Sequence, residues 1–202
     1  MIVATRDSSE KSKAVADFVG DGVGDQEEIY AAMQALPPAG GTVTLNAGSG
    51  GQITSNASST DVTGNLIVNG ELAPGASPGL FIVAGNVTLS VGDIFSVEVN
   101  GSATAGSDFD QLVVTGTVTL GNATLNAIGT IAAGSVPIVV INNDGVDAVN
   151  GRFNGLLEGD TVVINGIPFK ISYIGGTGND VVLIGNLPPT ITAIANQTTT
   201  MG

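Results

Sequence analysis

The sequence predicts an all-β fold in which short strands wind into a parallel coil, a β-solenoid. Three observations carry that expectation. Beyond Asp61 the chain shows no helical period, only short aliphatic runs that end in Gly or Asn. Three of these runs are near copies: Leu66–Leu72 reads LIVNGEL, Phe81–Val87 reads FIVAGNV and Leu112–Val118 reads LVVTGTV. The first two start 15 residues apart and the next two 31 apart, close to one and two units of a short period. Such repetition marks coils that bury their apolar faces only by stacking on neighbours. Finally, unbroken triplets such as Leu66-Ile67-Val68 suit strands of a covered parallel sheet. Coils of about 15–22 residues at ~4.8 Å spacing would stand roughly 40–50 Å tall.

Composition supports a core without aromatics or charge. The 202 residues are 43% hydrophobic, 11% charged and 4% aromatic, so the interior must be built from Val, Ile, Leu and Ala. No apolar run approaches the roughly 18–20 residues of a membrane helix, and direct membrane insertion is not expected. The net charge is −13, and no Lys or Arg occurs from Ala14 to Gly151, against thirteen acidic residues there. That surface repels phosphate backbones, which excludes nucleic acid as a partner. With no Cys and no His, thiol nucleophiles, His bases, the Ser-His-Asp triad and ordinary zinc sites are unavailable.

The first 46 residues read as a cap. DQEEIYAAMQALPP, from Asp25 to Pro38, starts on an Asp cap with Glu28 three residues on. Ile29, Met33 and Leu36 form one apolar stripe, and Pro37-Pro38 ends the helix. GGTVTLNAG follows as a strand of period two, with Val43 and Leu45 on one face.

The stretch DGVGDQEEIYAAMQALPPAGGTVTL resembles the N-terminal cap of right-handed parallel β-helices of the pectate-lyase-like superfamily. The resemblance covers residues 2–46 and implies a helix that shields the open end of the first coil. The whole is then a right-handed parallel β-helix with a short N-terminal capping helix and an extended C-terminal strand. Residues 1–46 would be cap, 47–186 shaft and 187–202 hinge plus strand.

ELAPGASPGLF, residues 71–81, reads as a corner between two strands. Pro74 and Pro78 cannot donate to a ladder, and Gly75 and Gly79 accept unusual backbone angles. The strand resumes at Leu80-Phe81-Ile82. This corner, the run DFDQLVVTGTVTLGNATL and the run PIVVINNDGVDAVNGRFNGLLEGD are together similar to autotransporter-associated β-strand repeats, over residues 62–185. That likeness implies the shaft of a bacterial surface protein or adhesin and brings no catalytic residues.

After Gly185, NLPPTITAIANQTTTMG holds a Pro188-Pro189 hinge and an alternating strand, with Ile191, Ala193 and Ala195 on one face. It is similar to the opening strand of immunoglobulin-like or cadherin-like modules. One strand cannot fold alone. Ile191, Ala193 and Ala195 are therefore assembly candidates, pairing with a copy of the chain or an adjacent domain of a larger surface protein.

Candidate chemistry is sparse. Gly175–Leu183, GGTGNDVVL, fits a calcium-binding nonapeptide, which makes Asp180 a candidate calcium ligand; no other cofactor is expected. A single copy fits a plain glycine turn equally well. Asp108 with Asp110, and Asp144 with Asp147, are paired carboxylates of the kind that acid/base or glycoside chemistry uses. Asp in Gly- and Ser-rich turns also bonds local backbone, the reading preferred here. Thr115, Thr117 and Thr119 alternate as on one strand face. The expected function is a non-enzymatic extracellular or cell-surface structural module, a solenoid shaft or fibre subunit linked head to tail through its C-terminal strand. The alternatives are a polysaccharide lyase or hydrolase of the pectate-lyase-like superfamily, or a carbohydrate-binding adhesin.

Overall fold

The structure, a computed structural model, describes residues 2–4, 18–19, 42–46, 52–54, 59–75, 78–132 and 137–185. Every regular element among them is a strand. The expected helix Asp25–Pro38 lies outside the described residues.

Strands recur in threes. After β1 (Ile2–Ala4) and β2 (Phe18–Val19), the first coil holds β3 (Thr42–Asn46), β4 (Gln52–Thr54) and β5 (Ser59–Thr63). The second holds β6 (Asn65–Asn69), β7 (Glu71–Ala73) and β8 (Leu80–Ala84). The third holds β9 (Val87–Thr88), β10 (Ile94–Glu98) and β11 (Gln111–Val114). The fourth holds β12 (Val118–Thr119), β13 (Thr124–Ile128) and β14 (Ile138–Asn143). Equivalent strands pair in parallel, giving sheet 1 in the order β12-β9-β6-β3-β1-β2 and sheet 2 in the order β13-β10-β7-β4. Sheet 3 runs β5-β8-β11-β14 in parallel. This is the solenoid-like stacking that the repeats imply.

The coil is longer than expected. Thr60 pairs with Phe81 and Phe81 with Leu112, so one turn takes 21 and then 31 residues. FIVAGNV and LVVTGTV are thus one coil apart, not two. LIVNGEL belongs to a different face, since Leu66 pairs with Val87 in sheet 1. The true counterpart of FIVAGNV on the preceding coil of sheet 3 is TDVTGNL, residues 60–66. The corners take up the extra residues, so sheet 1, with six strands, rises only about 24 Å.

The interior is a set of apolar columns, mostly aliphatic, although its largest buried side chains are Phe81, Phe95, Phe153 and Phe169, aromatics that the composition did not lead one to expect there. Val62, Val83 and Val114 stack from sheet 3, while Leu66, Val87 and Val118 stack from sheet 1, all at most 2% exposed. Each fully buried side chain of this size contributes about 1.5–3 kcal/mol. The corner from sheet 3 into sheet 1 is a second column. Asn65 Oδ1 accepts the Asn86 N–H at 2.8 Å, and Asn86 Oδ1 accepts the Thr117 N–H at 2.8 Å. Beside it, a Cβ on Gly85 would fall 2.2 Å from the Gly64 carbonyl oxygen, so only glycine fits between the coils.

Beyond the fourth coil the pattern changes, and the edge of β14 is taken by an antiparallel strand. Residues 150–154 begin a fifth turn: Asn150 N–H bonds Val118 O at 2.8 Å and Asn154 N–H bonds Ala123 O at 2.8 Å. The chain then leaves the coil and forms β15 (Thr161–Ile164), β16 (Ile167–Gly175) and β17 (Asp180–Gly185). These form an antiparallel meander on β14, extending sheet 3 as β14-β17-β16-β15. A two-residue turn with positive φ at Asn165 (48°) and Gly166 (80°) joins β15 to β16, the geometry that Asn-Gly hairpins favour. Val162, Ile164, Phe169, Ile171 and Leu183 join the same core as the coils. Phe153 stacks on Phe95, with centroids 5.9 Å apart and planes 5° apart, and also packs on Tyr173 at 6.4 Å. On sheet 3 the meander therefore seals the free edge of β14.

Candidate functional site

Buried carboxylates are where catalysis would be sought, and here they bind backbone. Asp93, Asp110 and Asp180 are 6%, 3% and 3% exposed, and each immediately precedes or opens an apolar strand. Asp93 accepts the N–H groups of Gly70 at 2.9 Å and Ser90 at 2.7 Å. Asp110 accepts those of Gly79 at 2.7 Å and Glu98 at 2.8 Å. Asp180 accepts those of Asn143 at 2.9 Å and Thr177 at 2.9 Å. In each case one carboxylate ties together two segments that the chain would otherwise leave apart. Charge-assisted bonds of this kind are stronger than neutral ones. Asp110 in particular pins the Pro-Gly corner at Gly79 to the end of β10.

Asp108 and Asp110 bond different segments. Asp108 Oδ2 accepts the Ala103 and Thr104 N–H groups at 3.1 and 2.9 Å, closing its own exposed loop. Burial raises the Asp110 carboxyl above its ordinary 3.8, more than the N–H bonds from Glu98 and Gly79 lower it, and the charge of Glu98 adds to the rise. The folded protein then binds this proton more tightly than the unfolded chain does. Its contribution to stability is present below about pH 3.8 and is lost as pH rises through the raised folded value. Asparagine at 110 would set an amide NH2 against one of the two backbone N–H groups, where even a protonated carboxyl keeps an oxygen, so Asp110→Asn should cost about 1–3 kcal/mol. Melting temperatures across the acid range should show the parent's advantage over Asp110→Asn shrinking as pH rises. Asp108→Asn keeps an acceptor for its loop and should stay within about 0.5 kcal/mol of the parent.

Sheet 2 carries a polar row on its outer face. Ser96 Oγ donates to Glu71 Oε1, and Asn126 Nδ2 donates to Ser96 Oγ at 3.0 Å. Neither cation among the described residues lies in the four coils: Arg152 follows the start of the fifth turn, and Lys170, on β16, donates to Thr161 Oγ1 at 2.9 Å. Thr115, Thr117 and Thr119 do not share a strand face. β11 ends at Val114 and the Gly116 corner separates Thr115 from β12.

The structure does bring together two of the acidic turns. The loop after β14, with Asn143, Asp144 and Asp147, lies against the turn Thr177–Asp180 that opens β17. Asn179 Nδ2 donates to the carbonyls of Asp144 and Asp147 at 3.3 and 3.1 Å. Asp180, the expected calcium ligand, has both oxygens occupied by N–H donors. Among the described residues no group of three or more acidic side chains is gathered to hold a metal, and no helix is long and apolar enough to cross a membrane. Ile191, Ala193 and Ala195 lie outside the described residues. The staple at Asp93 and the meander escaped the sequence reading. The signals were present: an Asp directly before each apolar run (GDIF, FDQL, NDVV), and Asn165-Gly166 between two such runs.

No family model, curated protein or solved structure matches the chain.

Proposed function

We propose that the chain is a non-enzymatic extracellular structural module, a short right-handed solenoid from a bacterial surface protein or fibre. The observation that carries this reading is the use of its buried acids. Asp93, Asp110 and Asp180 all hold backbone to backbone between segments, and the described coils hold no Lys or Arg to pair with a carboxylate in a groove. Carboxylates used in this way brace a rod, which supports the structural reading. Its likeness to autotransporter-associated repeats and to a pectate-lyase-like cap fits the same role.

The sealed edge of β14 sharpens how such a module would join others. With β17 paired to β14, a neighbour cannot simply continue the parallel stack on sheet 3. Linkage then falls to the segment beyond the Pro188-Pro189 hinge, where Ile191, Ala193 and Ala195 would add as a strand to another copy or an adjacent domain. Deleting residues 188–202 should turn assemblies seen by light scattering and electron microscopy into monomers. A parent that stays monomeric at high concentration, or assemblies unchanged by the deletion, would remove the linking role. Turnover of pectate or alginate with calcium would overturn the non-enzymatic reading itself.

A further inference from the structure

The seam where the meander joins the last coil contains two buried oxygens with nothing to bond. Asn143, at the end of β14, is fully buried, and its Oδ1 has no hydrogen-bond partner. Asp147 Oδ2 is likewise buried and unpartnered. The amide orientation of Asn143 is set by its surroundings: Nδ2 donates to the Asp147 carbonyl at 2.8 Å. Flipping the amide would set oxygen against oxygen there. Four donors of this seam are engaged elsewhere. Asn143 N–H and Thr177 N–H go to Asp180, Asn179 Nδ2 is shared between two carbonyls, and Thr177 Oγ1 donates to Asn179 Oδ1 at 2.8 Å. Leaving a buried acceptor unmet is costly, the more so when it is a carboxylate oxygen.

We propose that the loop Asn143–Asp147 holds a divalent cation of the calcium class, with Asn143 Oδ1 and Asp147 Oδ2 as side-chain ligands. A cation satisfies oxygens without needing a hydrogen on either side. The donors are all oxygen, which selects a hard ion over zinc or copper. The loop is irregular, turning at Gly145 (φ 75°) and leaving Val146 99% exposed. Calcium tolerates such geometry and takes water for its remaining positions, whereas magnesium demands a near-ideal octahedron. Asp180 acts as a positioning residue: by accepting the Asn143 and Thr177 N–H groups it locks the loop to the β17 turn. With one carboxylate as a direct ligand, affinity falls at the weak end known for extracellular modules, about 10⁻⁴–10⁻³ M. The ion would tighten the seam between β14 and β17, where the antiparallel cap meets the parallel coils.

The test uses the whole chain, melted in EDTA, in calcium and in magnesium, with calcium binding followed by calorimetry. Calcium at about 10 mM should raise the melting temperature by about 4–8 °C, and magnesium at the same level by less. Asp147→Asn should abolish the calcium shift yet melt in EDTA no lower than the parent, because the unmet buried charge is gone. A purely structural aspartate would instead lower the melting temperature in EDTA. No shift and no binding heat in the parent would overturn the proposal and leave water at the site. An equal shift in parent and Asp147→Asn would overturn it too, placing the ion elsewhere on this acidic chain. Should the variant not fold, saturable calcium-induced movement of the Gly145, Val146 and Asn179 amide resonances in the parent supports the site, and unmoved resonances refute it.

Discussion

Val83→Asp is expected to unfold the module. Val83 is fully buried, with Val62 below it and Val114 above it in the same inward column. An aspartate there meets no donor, since both neighbours in the column are aliphatic. An uncompensated buried charge costs about 3–5 kcal/mol, and the lost valine adds about 1.5–3 kcal/mol. Together these rival the whole stability of a typical domain, about 5–15 kcal/mol. Val114→Asp should behave alike, while Ile82→Asp, one residue away on the half-exposed outer face, should be far milder. Chemical denaturation followed by circular dichroism distinguishes the three. Equal midpoints for Val83→Asp and Ile82→Asp would mean that the inward face has been misassigned.

Phe153→Ala should cost about 3–5 kcal/mol, the usual loss for a buried aromatic. Phe153 joins two architectures. Its ring lies flat on Phe95 of the third coil and against Tyr173 of β16. Its backbone N–H donates to the Tyr173 hydroxyl at 3.2 Å, and that hydroxyl donates to the Leu156 carbonyl at 2.9 Å. Removing the ring opens a cavity under the seal without touching a strand. Amide exchange should therefore quicken first in β15 and β16, before the parallel coils respond. Uniform quickening across the chain would show that the cap and coils open as one unit.

What the sequence disclosed was local in origin. The corner ELAPGASPGLF appears where expected, between β7 and β8, because Pro and Gly act on their own backbone. The strand at Val43 and Leu45 is β3, and GGTGND is the turn before β17. Coil length was not legible. LIVNGEL and FIVAGNV look alike because every face of a solenoid asks for the same aliphatic strand, so similarity cannot tell the next face from the next coil. The coil register shows instead in close contacts such as the Gly64-Gly85-Gly116 column, where a Cβ would strike the coil below. The meander was hidden for another reason. Val162, Ile164, Phe169 and Ile171 alternate as any half-buried strand does, and only the Asn165-Gly166 turn between them signals the reversal. Asp108 closes its own loop, as an Asp in a turn does, but a linear reading cannot show that Asp110 reaches back 31 residues to Gly79.

A cysteine pair tests the stacked coil most directly, because the chain has no cysteine of its own. Ile82 and Val113 are register partners on neighbouring strands, both half-exposed, within the about 4.4–6.8 Å Cα separation that a disulfide spans. Ile82→Cys with Val113→Cys should oxidise to an intramolecular bridge in the folded protein. Ile67→Cys with Ile82→Cys, spaced by the 15 residues that the near-copies suggest, should remain two free thiols, since Ile67 pairs instead with Thr88 in sheet 1. Mass spectrometry after mild oxidation reads both. A bridge between 67 and 82 with none between 82 and 113 would contradict the three-faced coil outright.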